Sequence, residues 1–329
     1  MRENDIRPEL IRDRYLELSA KDAKLCFSSK TRKKIPCIAC GSGACHLAFT
    51  KNSFDYSECE KCGTLYQSPR PSLEEFENFY RDSVSSRYWA EVFFPTVAEK
   101  RREHIFKPRA NGVSNICKQK DAPGNIVIEV GSGYGIFLEE WKKIYPGSEL
   151  IAIEPSRQLA QICREKGLLV VEELAENVEG YDDYADLVVC FEVLEHVYDP
   201  LTFVRTLTKF IRPGGYLFLS TLCVDGFDIQ MLWEKSNSIF PPHHINFFSI
   251  PGFQHLMDRA GLTEVDISTP GVLDVEIVRN FDKNQTPSIV QSQFISKILN
   301  DELLSEKFQR FLSENQLSSH AWVFARKSE

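Results

Sequence analysis

Three groups of residues in this chain have types and spacings suited to chemistry. The first is a set of four cysteines in two Cys-x-x-Cys pairs, Cys37/Cys40 and Cys59/Cys62, with 18 residues between the pairs. A Cys-x-x-Cys turn aims two sulfurs at one point, and two such turns at this separation fit a tetrahedral four-thiolate zinc site. Cys45 and His46 lie between the pairs as spare donors. With four sulfurs already supplied, they are read as non-ligands. A closed site of this kind holds a fold together and does no chemistry itself. Unrelated buried thiols would not require both pairs to occur together, and a redox pair expects a flanking βαβ unit that neither pair has.

The second group is the stretch NIVIEVGSGYGIFLEEW, residues 125–141, with Gly131, Ser132, Gly133 and Gly135 between a strand-like and a helix-like run. A dinucleotide loop needs Gly-x-Gly-x-x-Gly, and the position of its third glycine is Ile136 here. A P-loop is excluded because no Gly-Lys-Ser/Thr follows. Glu129 precedes the first glycine by two positions. A carboxylate so placed repels a pyrophosphate and attracts a cation or ammonium group. Glu154 ends the next strand-like run, IAIEPS, where a carboxylate can accept from both hydroxyls of a ribose. One glycine alone reads as a tight turn. Three of them followed by Glu154 read as a site for a nucleoside that carries positive charge and no phosphates.

The third group is IFPPHHINFFS, residues 239–249, with His243 and His244 beside two prolines. An unperturbed imidazole titrates near pH ~6.5 and so can act as a general base. At least one of the pair is read as catalytic or substrate-binding, with His244 preferred. The alternative is packing with hydrogen bonds to backbone carbonyls.

The surrounding elements must position these groups. The length of 329 residues suggests about two domains, and 43% hydrophobic with 26% charged residues is ordinary globular composition. A net charge of −8 argues against a nucleic-acid partner and suits a small-molecule acceptor. No membrane span or secretory signal is expected, since no run of about 18 apolar residues occurs and the first residues are heavily charged. Ten cysteines without an export signal point to reduced thiols or metal ligation, hence a cytoplasmic protein.

Residues 7–19 read as an amphipathic helix, and 28–36 as a basic linker. Residues 72–107 read as helical, opening on the cap-like SLEE. Strands are expected at 126–130, 150–154, 168–171, 186–191, 215–221 and 263–268, with a last one in HAWVFARK. Helices are expected at 200–211, 251–260, 286–300 and 302–314, and Arg-Pro-Gly-Gly at 212–215 reads as a helix stop and turn. Alternation of this kind predicts an α/β fold with a doubly wound, seven-stranded, mostly parallel sheet. The chain then divides into an N-terminal helix and linker (1–33), a zinc ribbon (34–70), a helical connector or lid (71–110) and the α/β domain (111–329).

Over roughly residues 111–326 the chain resembles the class I S-adenosylmethionine-dependent methyltransferases, which are Rossmann-like. IEVGSGYG, IAIEPS, ADLVVCFEVLEHVYDP and IRPGGYLFLST correspond to four of their motifs in the right order. The resemblance implies S-adenosyl-L-methionine as cofactor. Gly131, Ser132, Gly133 and Gly135 would line its methionine portion, Glu154 would hold the ribose, and Phe191 to His196, above all Glu192, would pass near the sulfonium. Glu192 and Glu195 also read as helix-start carboxylates. Tyr88 and Trp89 are candidates to close over the cofactor, or else to pack between domains. Base-nitrogen methylases carry an Asn/Asp-Pro-Pro-Tyr where this chain has FEVLEH, which counts against that class.

A zinc ribbon followed by SPRPSLEEFENFY and then a methyltransferase core is also similar to bacterial methyltransferases of surface-polysaccharide and sugar-nucleotide pathways. That similarity implies a sugar or sugar-nucleotide acceptor, methylated on oxygen or carbon. The sugar C-methyltransferases of that group carry Tyr-His-Glu-His where this chain has PHHINFF, so their base is not reproduced. Asp274 in PGVLDVEIVRN is read as facing substrate or capping the next helix. Two other functions stay open: methyl transfer to another small metabolite, such as a polyketide or quinone precursor, and a non-catalytic cofactor-binding scaffold.

Overall fold

The computed structural model describes residues 2–27, 32–283 and 290–329. Its strands in chain order are β1 (Cys45–Lys51), β2 (Phe54–Cys59), β3 (Leu65–Gln67), β4 (Ile126–Val130), β5 (Glu149–Ile153), β6 (Leu169–Val171), β7 (Ala185–Phe191), β8 (Ile211–Leu222), β9 (Asn246–Phe247), β10 (Leu262–Ser268) and β11 (His320–Lys327). The chain divides into two compact units with interleaved segments. One comprises Glu99–Thr221, Phe253–Asp266 and Trp322–Glu329, and the other Met1–Ala98, Leu222–Gly252 and Ile267–Ala321.

The first unit carries the seven-stranded sheet, in the order β10-β11-β8-β7-β4-β5-β6. Strand β4 runs parallel to β5 and β7, β5 to β6, and β7 to β8. This is the doubly wound, Rossmann-like sheet that the alternation predicts. Its central strands are largely continuous apolar runs, interrupted by Glu129 on β4 and Asp186 on β7, because both faces are covered; all seven residues of β7 are buried. The core joins Val127, Phe137, Trp141, Phe191, Phe218 and Phe324. Strand order reverses at β4, whose neighbours are β5 on one side and β7 on the other. Ligands in open α/β sheets bind at the carboxyl ends beside such a point.

The Arg-Pro-Gly-Gly run departs from expectation. The preceding helix, Pro200–Phe210, is capped by Asp199, which accepts from the Thr202 N–H at 3.2 Å. The chain then enters β8 at once, with no separate turn. Ala185 pairs with Ile211 but Leu187 pairs with Tyr216, so Arg212 to Gly215 bulge out of register. Gly214, at φ +75°, takes the bend.

The second unit contains an antiparallel sheet in the order β1-β2-β3-β9. Its N-terminal helix runs Glu9–Cys26, beyond the expected 7–19, because no Gly or Pro breaks it before Phe27. One face of this helix places Tyr15 in a cluster with Phe93 and Val97. The SLEE signal is a true capping box: the Glu75 N–H donates to Ser72 Oγ at 3.3 Å, and the Ser72 N–H to Glu75 Oε2 at 2.9 Å. The helix expected at 286–300 is seen over Gln293–Asn300 under a Ser292 cap, and the expected residues 286–289 lie outside the described residues. In the sheet-bearing unit, the helix Lys107–Gln119 continues past position 110.

Phe137 lies fully buried against the sheet. Phe137→Ala is expected to lower unfolding free energy by about 3–5 kcal/mol in urea denaturation.

Candidate active site

Strand β4 ends at Val130, and the loop that follows contains three left-handed glycines: Gly131 (φ +72°), Gly133 (φ +55°) and Gly135 (φ +65°). Side chains avoid this conformation, which accounts for the spacing. The three positions differ in their surroundings. A Cβ on Gly131 would lie 2.7 Å from Val193 Cγ2, and one on Gly135 2.7 Å from Leu168 Cδ1 and 3.0 Å from Cys163 Sγ. A Cβ on Gly133 would meet nothing within 4 Å. Gly131 and Gly135 are therefore packing requirements, and Gly133 borders open space. Ser132 is buried.

Glu154, just past β5, holds this loop. Its Oε2 accepts the Gly133 N–H at 2.8 Å and its Oε1 the Ser156 N–H at 2.9 Å. Each carboxylate oxygen has two acceptor sites, so two remain for a ligand. Burial raises the Glu154 carboxyl above its ordinary value, while the two N–H groups pull it down.

Glu192 follows β7 at φ +54°, an uncommon conformation for a residue with a side chain. Its Oε1 accepts from Arg109 Nη2 at 3.0 Å and from Ser220 Oγ at 2.6 Å. Arg109 is buried, with its guanidinium 4.7 Å from the centre of the Phe191 ring. The helix-start reading of Glu192 and Glu195 is corrected: the next helix begins at Pro200 under the Asp199 cap. Glu195 is buried, 2.6 Å from Thr221 Oγ1. Burial, then the charge of Glu192, pushes its carboxyl up to about 8. Glu129 is buried on β4, and its Oε2 has no hydrogen-bond partner among the described residues.

The other unit holds the histidines. His243 is 3% exposed and ringed by Tyr15, Phe79 and Phe240, with Nε2 3.0 Å from Ser85 Oγ. This is the packing arrangement that the sequence left as the alternative. His244 is half-buried, and its Nδ1 lies 2.7 Å from the Ser238 carbonyl oxygen. A carbonyl only accepts, so Nδ1 carries the hydrogen, and a neutral ring then has its lone pair on Nε2. Tyr88 packs beside the Tyr15 cluster. Asp274 is buried and ties down the chain at 318–319, accepting from Ser318 Oγ at 2.5 Å and from the Ser319 N–H at 2.7 Å.

The sulfurs of Cys37, Cys40, Cys59 and Cys62 all lie within 4.8 Å of one another. Both turns have the same build. Gly41 (φ +77°) and Gly63 (φ +74°) follow the second cysteine of each pair and donate N–H to the carbonyls of Cys37 and Cys59, at 2.9 and 2.8 Å. Cys45 and His46 stand outside the cluster on β1, and His46 lies 3.5 Å from Glu58.

A family described as a methyltransferase domain matches residues 98–267, just over half of the chain. The chain belongs to this family. Among curated proteins, the ubiquinone biosynthesis O-methyltransferase of Xanthomonas oryzae pv. oryzae (strain PXO99A) is 35% identical over 114 residues, 32% of this chain and 47% of the relative. That of Proteus mirabilis (strain HI4320) is 31% identical over 151 residues, 43% of this chain and 57% of the relative. The chain thus spans about half the length of these relatives. Among solved structures, the plantazolicin methyltransferase BpumL, in complex with a monoazolic desmethylPZN analog and SAH, has a TM-score of 0.51 at 13% identity, covering 77% of this chain and 94% of that one. This likeness supports the fold.

Glu129, the glycine loop, Glu154, Phe191 and Glu192, which the sequence groups as one candidate site, lie on or just after the adjacent strands β4, β5 and β7 of one sheet. The sequence reading misses Arg109. The available signal was an arginine in register with the buried face Ala110, Val113 and Cys117 of its helix. The glycines give a stability test. Gly133→Ala is expected to cost about 1–2 kcal/mol for left-handed strain. Gly135→Ala adds overpacking, roughly 1–3 kcal/mol more, as measured by urea denaturation.

Proposed function

We propose that this protein transfers the methyl group of S-adenosyl-L-methionine to an oxygen of a small acceptor. The observation that carries the reading is Glu154 bound to the Gly133 and Ser156 N–H groups beside the open space at Gly133. The residues present suit the cofactor. Glu154 keeps acceptor sites for ribose hydroxyls, the loop offers no Cβ at Gly133, and the unpartnered Glu129 oxygen suits a cation. When bound, S-adenosyl-L-methionine supplies an electrophilic methyl group on a sulfonium. Phe191 and Glu192, locked by Arg109 and Ser220, would form the side of the site next to it.

His244 is the preferred base. The Ser238 carbonyl fixes the orientation of its ring, and an imidazole can take the proton of an acceptor hydroxyl. His243 is assigned to packing with Ser85 and the aromatic ring cluster. The relatives' names concern ubiquinone biosynthesis, so a quinone-precursor hydroxyl is favoured over the sugar that the sequence suggests. Cys37, Cys40, Cys59 and Cys62 would hold Zn2+ in a closed, structural site, and each Cys-x-x-Cys-Gly turn fits that role.

Two measurements follow from these assignments. Elemental analysis is expected to find one zinc per chain, and Cys59→Ser to lose it with a fall in thermal stability; a metal-free wild type of equal stability would refute the zinc assignment. Transfer of labelled methyl from S-adenosyl-L-methionine is expected with hydroxylated quinone precursors rather than nucleotide sugars. His244→Ala should slow it about 10²–10⁴-fold without loss of cofactor binding. Unchanged turnover would remove His244 as the base, and labelling of sugars alone would restore the sugar reading.

A further inference from the structure

At the carboxyl end of the seven-stranded sheet, acids outnumber cations. Glu129, Glu154 and Glu195 are buried and Glu192 is half-buried. The one buried guanidinium among them, Arg109, acts on Glu192, Glu129 and Glu195. It is hydrogen-bonded to Glu192 at 3.0 Å. The other cation felt by Glu129 is Lys166, whose Nζ donates to the Tyr134 carbonyl at 2.6 Å and to Glu139 at 2.7 Å. Glu129 keeps an oxygen with no hydrogen-bond partner among the described residues, at 2% exposure. A carboxyl so buried, without a partner for one oxygen, takes up a proton rather than stay charged.

We propose that Glu129 holds a proton until a cationic nucleoside arrives and releases it on binding, so that the site recognises charge through this one carboxyl. This rests on the proposed function and extends it, from which nucleoside is bound to how its charge is read. In the step, the carboxyl O–H bond breaks, its electron pair stays on Glu129 and the proton passes to the buffer. The charge brought by the ligand is thereby balanced by the buried Glu129 carboxylate. Burial and the charge of Glu154 favour the protonated state beforehand, and Arg109 and the Leu138 N–H oppose it. The sign follows. While Glu129 is protonated, affinity for a cation rises with pH, up to ~10-fold per pH unit if one whole proton is released. A neutral nucleoside shows no such dependence.

The test is calorimetric titration of the zinc-loaded full chain with S-adenosyl-L-methionine and with neutral 5′-methylthioadenosine. Phosphate and Tris buffers, which differ in ionisation enthalpy, are compared between about pH 6 and about pH 7.5, below the titration of an α-amino group at about 7.7–8. The expected result is a buffer-dependent heat, with proton release, for the cation alone. Glu129→Gln should abolish that release and flatten the pH dependence while still binding the neutral nucleoside. Cation binding without proton release in the wild type overturns the inference, as does release that persists in Glu129→Gln. A wild type that binds neither ligand overturns the proposed function itself.

Discussion

The site depends on one carboxylate that grips two backbone N–H groups. Glu154 stands at the tip of β5, and through Gly133 it fixes the loop that leaves β4. That contact adds to the backbone bonds of Gly131 to the Ile153 carbonyl and of Gly135 to the Ser132 carbonyl, and together they offset the backbone freedom that three left-handed glycines lose on folding. The parallel pairing of β4 with β5 brings loop and carboxylate together. The same sheet delivers Glu192 from β7 and its partner Ser220 from β8. One topological fact, the reversal of strand order at β4, thus gathers residues distant in the chain.

Packing and electrostatics then divide the work. Gly131 and Gly135 are set by both their left-handed backbone and the side chains pressed against them, and Gly133 by its left-handed backbone alone, with open space beside it. The acids are held at fixed positions by Arg109, Ser220, Thr221 and backbone N–H groups. The result is an acidic cluster, whose charge attracts a cation and repels phosphate. In the other unit, the two cysteine turns repeat one geometry, with a left-handed glycine closing each, so four sulfurs meet without help from Cys45 or His46.

Much of this was legible in the residues. The glycine spacing was readable because glycine takes the left-handed backbone without the strain a side chain brings, and the sheet because its buried strands are largely apolar without alternation. What was hidden depended on tertiary partners. Arg109 sat in a stretch read as a connector, and only the fold brings it to Glu192. The sequence gives His244 only a slight preference over His243; Ser85 and the Ser238 carbonyl distinguish them. Asp274 carries a role that no local pattern encodes, since its partners lie some 44 residues away. Arg-Pro-Gly-Gly has the letters of a turn, but β7 captures them into a bulged strand.

The central claim is that Glu154 and the glycine loop hold a cationic nucleoside. Its most direct measurement is the affinity of S-adenosyl-L-methionine for the purified wild type and for Glu154→Gln, by equilibrium titration. The account predicts saturable one-site binding, weakened at least about tenfold by the substitution, because a charged hydrogen-bond acceptor worth ~1.5–3 kcal/mol is lost. Equal affinity in the two proteins, or no binding by a folded wild type, would contradict it.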